Sequence, residues 1–321
     1  MAELVLVTGA SGFVGKALCT LLLSKGFQVR GLVRSGAVED GVEAIQVQDI
    51  AGTSQSTWAS IVSGVDVVIH CAALVHQMGP DDDEALARYR GVNTLATESL
   101  AQAAVNAGVK RFIFLSTIKV LGESTEPCHA FRAHDSALPT DAYARSKWEA
   151  EQAIREVASD SSMDFVIIRP PLVYGPGVGA NFQALSRLVS MRVPLPLGAI
   201  NNRRSLVSVD NLVDLIVRCV NHAEAIHDAL LVSDGDDVST TQLLRRVANA
   251  KGVSPLLIPI PASWLMTIGK WLGKGSELRR LCGNLQVDIQ HTCDALDWSP
   301  PYSMEETLVR MNVTKCANKD V

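Results

Sequence analysis

The stretch "VLVTGASGFVGKAL" (5–18) decides the fold. An apolar run, "LVLV" (4–7), breaks into Gly9, Gly12 and Gly15 and then passes at once into a helical pattern. A strand followed by a glycine-rich turn and a helix N-terminus has a specific physical use. The first glycine allows a tight turn, the second lets a pyrophosphate approach the backbone, and the third lets the helix pack on the sheet. Five further short runs follow: "QVRGLV" (28–33), "EAIQV" (43–47), "DVVIHCA" (66–72), "RFIFLS" (111–116) and "FVIIRP" (165–170). They are apolar on both faces, as strands of a parallel sheet covered by helices must be. Helical segments lie between them, among them "GKALCTLLLSKG" and "NTLATESLAQAAVNAG", each ending in glycine. The expected fold is α/β: a Rossmann-like, doubly wound parallel sheet with a smaller C-terminal lobe.

The chain's 321 residues, 47% hydrophobic and 20% charged, suffice for one large domain or two unequal lobes. After about residue 171 the pattern changes to Pro-rich pieces and scattered helices, and only "HDALLVSDG" (227–235) returns to the strand type. The expected division is therefore 1–170 plus about 205–235 for a dinucleotide-binding domain, and 171–204 with 236–321 for a substrate lobe. A net charge of −5 gives no reason to bind nucleic acid. Seven cysteines without a CxxC pair read as reduced thiols, mostly filling the core, and no metal ligand set is expected. No secretory signal and no transmembrane segment are expected. The segment "SWLMTIGKWLGKG" (263–275) is apolar with two lysines, and reads first as a lobe helix covering the pocket, with a membrane-surface contact as the alternative.

In "TDAYARSKWEAE" (140–151), Tyr143 and Lys147 stand one helical turn apart, in a chain with four tyrosines. An ammonium beside a phenol stabilises phenolate, which is the tuning an acid/base tyrosine needs. Together with the G-x-x-G-x-x-G loop, this motif resembles the extended short-chain dehydrogenase/reductase superfamily. The likeness spans nearly the whole chain: "HCAA" (70–73), "VN" (92–93), "FLST" (114–117), "RPPLVYGPG" (169–177) and "RRSLVSVDNLVD" (203–214) match in order.

The resemblance implies site residues. Gly9, Ser11, Gly12, Phe13, Val14 and Gly15 would hold the dinucleotide, with Asp49 and Ile50 at the adenine, and Ala72, Ala73, Asn93 and Pro170 beside the cofactor. Thr117, Tyr143 and Lys147 would be catalytic, with Lys147 also on the nicotinamide ribose. His76, Thr117, Asn181, Phe182, Arg204 and Arg280 would meet the substrate. At the end of the second strand Val33 stands where an NAD-binding acid is expected, followed by Arg34, which suits a 2′-phosphate. This favours NADP(H) and leaves NAD(H) open. Relatives that are 4,6-dehydratases carry Asp-Glu where this chain has Ile118-Lys119, so dehydration is not expected.

"STIKVLGE" (116–123), "GNLQVD" (283–288) and "LDWSPPYSMEETL" (296–308) are most similar to a bacterial branch working in O-antigen biosynthesis. The resemblance implies a cytoplasmic homodimer acting on a UDP-sugar. The first expectation is NADPH-dependent reduction of a UDP-4-keto-6-deoxy-hexosamine at C4. The alternative is a UDP-sugar 4-epimerase with tightly bound NAD, and a non-catalytic NADP-binding regulator is a third reading.

Overall fold

In the computed structural model the described residues are 2–75, 82–191, 193–224, 226–271, 273 and 275–317. Among the described residues nine strands are formed: β1 (Leu4–Thr8), β2 (Gln28–Val33), β3 (Val42–Gln46), β4 (Val67–His70), β5 (Arg111–Leu115), β6 (Asp164–Arg169), β7 (Leu172–Tyr174), β8 (Leu206–Ser208) and β9 (Asp228–Leu231). The helices through the sheet region are α1 (Phe13–Ser24), α2 (Gln55–Val62), α3 (Asp83–Tyr89), α4 (Ala96–Asn106) and α5 (Ala142–Ser159). Then come α6 (Ala180–Ser190), α7 (Val209–Asn221), α8 (Thr240–Ala250), α9 (Ala262–Trp271), α10 (Gly275–Cys282), α11 (Gln290–Leu296) and α12 (Met304–Ala317).

Seven strands pair in the order β3-β2-β1-β4-β5-β6-β9, and every ladder is parallel. One apolar core on one face packs α1 and α7 on the sheet; a second, with Trp58, Leu100 and Ile154 at its centre, packs α2, α4 and α5 on the other. This three-layer arrangement explains why the strands read as apolar on both faces. Chain order reverses between β1 and β4, and open parallel sheets form their ligand crevice at the carboxyl ends of such strands. The "DVVIHCA" run leaves the ladder after His70, so Cys71–Ala73 forms part of that crevice wall instead of a longer strand.

A third core, around Tyr174, Phe182, Leu244 and Leu308, joins α6, α8 and α12 in a smaller lobe, with the parallel pair β7–β8 beside it. Phe13 is packed against both this core and the first, so the start of α1 touches both parts of the molecule. Among the described cysteines only Cys19 and Cys219 are buried, so the expectation that thiols mostly fill the core is corrected. Among the described residues no helix is long and apolar enough to cross a membrane.

One buried ion pair clamps the sheet to the α7–β9 connection. Arg111 donates to Asp164 and to the carbonyls of Cys219, His222 and Glu224, while Asp164 also accepts from the backbone of Ile226 and His227. Replacing Arg111 with Met strands a buried carboxylate and several carbonyls. Urea unfolding is expected to show a loss of about 3–5 kcal/mol.

Candidate active site

The crevice is built from the end of β1. Gly9 adopts φ +69°, a conformation costly for any other residue, and its N–H donates to Leu32 O at 2.9 Å. A Cβ on Gly9 would lie 3.0 Å from the backbone of Ala72, and one on Gly15 would lie 2.1 Å from Gly9 O. The loop, the Ala72–Ala73 wall and the start of α1 are thus packed backbone to backbone. Gly12 caps α1 without any side-chain hydrogen bond, so the first-turn N–H groups of Phe13, Val14 and Gly15 face the crevice end of the helix uncapped. A bare helix N-terminus beside a glycine cradle fits the pyrophosphate of a dinucleotide.

At the adenosine end, Ser11 Oγ donates to Ser35 O at 3.0 Å. Val33 is buried, and the exposed Arg34 is the first charged side chain past β2. Asp49 Oδ1 accepts from Ala51 N in a tight turn, and Ile50 packs on the core of α2 and α4.

Sequence reasoning missed the buried chain that holds this end of the sheet together. Thr8 Oγ1 accepts from Ala72 N and bonds His70 Nδ1 at 2.7 Å; His70 Nε2 bonds Thr97 Oγ1 at 2.9 Å. Because the Thr97 hydroxyl donates to Asn93 O, His70 must donate through Nε2 and accept at Nδ1. Burial, reinforced by the charge of Lys147, pushes the His70 pKa down to about 3, so the ring is neutral. Asn93, expected at the cofactor, spends its amide on Leu74 N, Leu74 O and Ser146 Oγ. That corrects its role: it ties the crevice wall to α5 from within a π-helical turn (Arg90–Leu95), a distortion often found at functional sites.

Asp141 caps α5, accepting from Ala144 N at 2.7 Å, and so aims the turn that carries Tyr143. Lys147 lies one turn on, 1% exposed, with its Nζ 3.9 Å from the centre of the Phe114 ring. Desolvation lowers the Lys147 pKa to about 7, with Glu151 and Cys71 pulling the other way. The expected lowering of Tyr143 is not produced by the protein groups. Burial, then Asp141 and Tyr89, push the phenol up.

Thr117 ends β5's extension as the cap of a short 3₁₀ turn, Oγ1 accepting from Lys119 N at 3.3 Å. Its neighbour Ile118 donates to Pro170 O, which anchors that turn to the chain after β6. Ser116 Oγ donates to Glu151, a fully buried carboxylate also held by Arg169, so it is committed to scaffolding. Lys119 pairs with Asp141 and Glu123.

In the lobe, Arg204 and Arg280 come together: Arg204 Nη1 donates to the carbonyls of Arg280, at 2.7 Å, and Gly283. Arg280 itself reaches Glu123 at 3.0 Å. A charge path therefore runs from these arginines through Glu123 and Lys119 to the cap of the Tyr143 helix. Phe182 is 3% exposed and stacks on Tyr174 at 5.5 Å, which places it in the lobe core instead of against a substrate. Asn181 lies in the first turn of α6. His76 lies outside the described residues. His134, Asp228 and His291 gather within 4.8 Å at the sheet edge, away from the crevice, where a His291–Asp228 ion pair at 2.8 Å accounts for the contact.

The parallel sheet, its glycine cradle and the Tyr-x-x-x-Lys helix across from it define a dinucleotide-fold protein. Residues 5–232 match the family described as the NAD dependent epimerase/dehydratase family, and the chain belongs to it. It is similar, at 45% identity over 95% of this chain and 93% of the relative, to a UDP-glucose 4-epimerase of Vibrio cholerae. At 26% identity it is similar to an N-acetyl-alpha-D-glucosaminyl-diphospho-ditrans,octacis-undecaprenol 4-epimerase of Escherichia coli O157:H7, over 97% of this chain and 94% of that one. Its fold is shared with a UDP-glucuronic acid 4-epimerase from Bacillus cereus solved in complex with NAD: TM-score 0.77, 20% identity, 98% of this chain and 99% of that one.

Lys147 has a pKa of about 7 in the fold against 10.5 in a free chain, so the folded protein binds fewer protons between those values. The cost of burying the amine is complete below pH 7 and vanishes as pH rises to 10.5. Cofactor-free Lys147→Met is therefore expected to be the more stable protein at pH 7, by several kcal/mol, with the gap closing toward pH 10.5. Paired urea titrations across that range measure it.

Proposed function

We propose that this chain is a UDP-hexose 4-epimerase that keeps one NAD bound through the cycle. The observation that carries the reading is its 45% identity, over nearly both full lengths, to a protein named UDP-glucose 4-epimerase. The Thr117, Tyr143 and Lys147 set adds the chemistry such an activity requires.

NAD, when bound, supplies a reversible acceptor for the hydrogen on C4 of the sugar. The glycine cradle and the uncapped start of α1 would hold its pyrophosphate, and Lys147, on the same helix as Tyr143, would serve the ribose. Tyr143 exchanges the O4 proton, taking it as the alcohol is oxidised and giving it back on the return. Burial holds the proton on the phenol, so nearby positive charge must lower its pKa before Tyr143 can take the O4 proton. Thr117 hydrogen-bonds the same oxygen. Arg204 and Arg280 would neutralise the UDP diphosphate. Ile118 and Lys119 offer no acid/base pair for loss of water, because Ile118 is apolar and Lys119 is consumed by Asp141 and Glu123.

A second reading, the NADPH-dependent 4-keto reductase, is favoured by one feature, Arg34 following Val33 without a carboxylate at the end of β2. If it holds, Arg34→Ala weakens NADPH by roughly 10- to 150-fold and leaves NADH almost unchanged. Under the epimerase reading the variant keeps its NAD through purification.

Protein purified without added coenzyme is expected to convert UDP-glucose to UDP-galactose. Tyr143→Phe is expected to keep its dinucleotide and lose about 10²-fold or more in turnover. Consumption of NADPH by a 4-keto sugar nucleotide, with no epimerisation, would give the reductase reading first place.

A further inference from the structure

The α9–α10 hairpin shows an apolar face that the site does not use. Among the described residues thirteen large apolar side chains are exposed, and five of them fall between Leu256 and Trp271. Trp264, Ile268 and Trp271 stand at i, i+4 and i+7 on α9, which puts them on one side of the helix. They are 68%, 51% and 88% exposed. The opposite side is already committed: Leu265 and Gly269 are buried, and a Cβ on Gly269 would lie 2.1 Å from Leu278 Cδ1 of α10. The hairpin is thus packed inward through small and aliphatic residues and outward through two of the chain's five tryptophans.

Its charge says what covers that face. Residues 262–282 carry four basic residues (Lys270, Lys274, Arg279 and Arg280) against the single Glu277, a net of +3 in a chain whose total is −5. Lys270, next in sequence to Trp271, and Arg279 on the packed partner helix are both exposed. Tryptophan with a basic rim on a short amphipathic helix is the composition that settles at an anionic bilayer surface. A second copy of the chain is a poor occupant, since a two-fold contact through this face would set the two basic rims against each other.

We propose that α9 docks this protein on the surface of anionic lipid bilayers, with Trp264, Ile268 and Trp271 in the headgroup region and Lys270 and Arg279 on lipid phosphates. The same hairpin carries Arg280, whose carbonyl holds Arg204 and whose guanidinium holds Glu123. Docking therefore places the lobe's arginines one helix away from the membrane, where a lipid-bound consumer of the product would work. The inference stands apart from the proposed activity, because its test reads binding alone.

The tag-free full chain is floated with vesicles of equal phosphatidylglycerol and phosphatidylcholine, and with phosphatidylcholine alone. Wild type is expected to float with the anionic vesicles, to float less as salt rises, and to show blue-shifted tryptophan emission. Lys270→Ala is expected to weaken binding about fivefold, from ~1 kcal/mol per basic residue near such a surface. Trp264→Ser with Trp271→Ser is expected to abolish it at an unchanged melting temperature, both side chains being exposed. Absence of flotation overturns the proposal, as does equal flotation of the double variant. So does a halving of molar mass in the double variant without any vesicle binding, which would make the face a contact between copies.

Discussion

A line of buried hydrogen bonds runs from the end of β1 to the backbone of Tyr143. It passes from Thr8 to the neutral ring of His70, on to Thr97, to Asn93 and to Ser146, whose hydroxyl donates to Tyr143 O. Each of its side chains is at most 1% exposed, so every polar atom in it must be paired inside the fold. The consequence is positional. The glycine cradle rides on Thr8, the crevice wall at Leu74 on Asn93, and the candidate catalytic helix on Ser146. A dinucleotide held by the first two is thereby set in register with the third.

Electrostatics complete what the hydrogen bonds position. Burial depresses Lys147 to about 7 and raises Tyr143, so at pH 7 the protein alone leaves the phenol protonated and the amine only partly charged. An oxidised nicotinamide, if held beside Tyr143, would add positive charge that the protein groups do not supply.

Much of the fold was legible because its rules are local. Strands apolar on both faces announce a covered parallel sheet, and Gly9 and Gly15 are needed where a backbone must pass within contact of another. The Tyr143–Lys147 spacing is likewise a one-turn relation. What stayed hidden depends on partners far away in sequence. Asn93 looked like a cofactor residue because nothing local reveals that Leu74 and Ser146 consume its amide. The Lys119–Asp141 pair was not legible, because Asp141 reaches Lys119 only once α5 is docked. Phe182 falls in the lobe core, and a segment with no regular strand pattern gives no warning of which face is inward. The order of preference between reductase and epimerase turned on one residue, Arg34, whose surroundings are open to solvent and impose little.

The central claim is that hydrogen leaves C4 and returns to C4 within one binding event, on a coenzyme that never exchanges. UDP-glucose deuterated at C4 tests this directly, with the protein used as purified and unlabelled NADH present in excess. The account predicts UDP-galactose that retains essentially all of its C4 deuterium. Product with C4 protium drawn from the added coenzyme, or no galactose product at all, would contradict it.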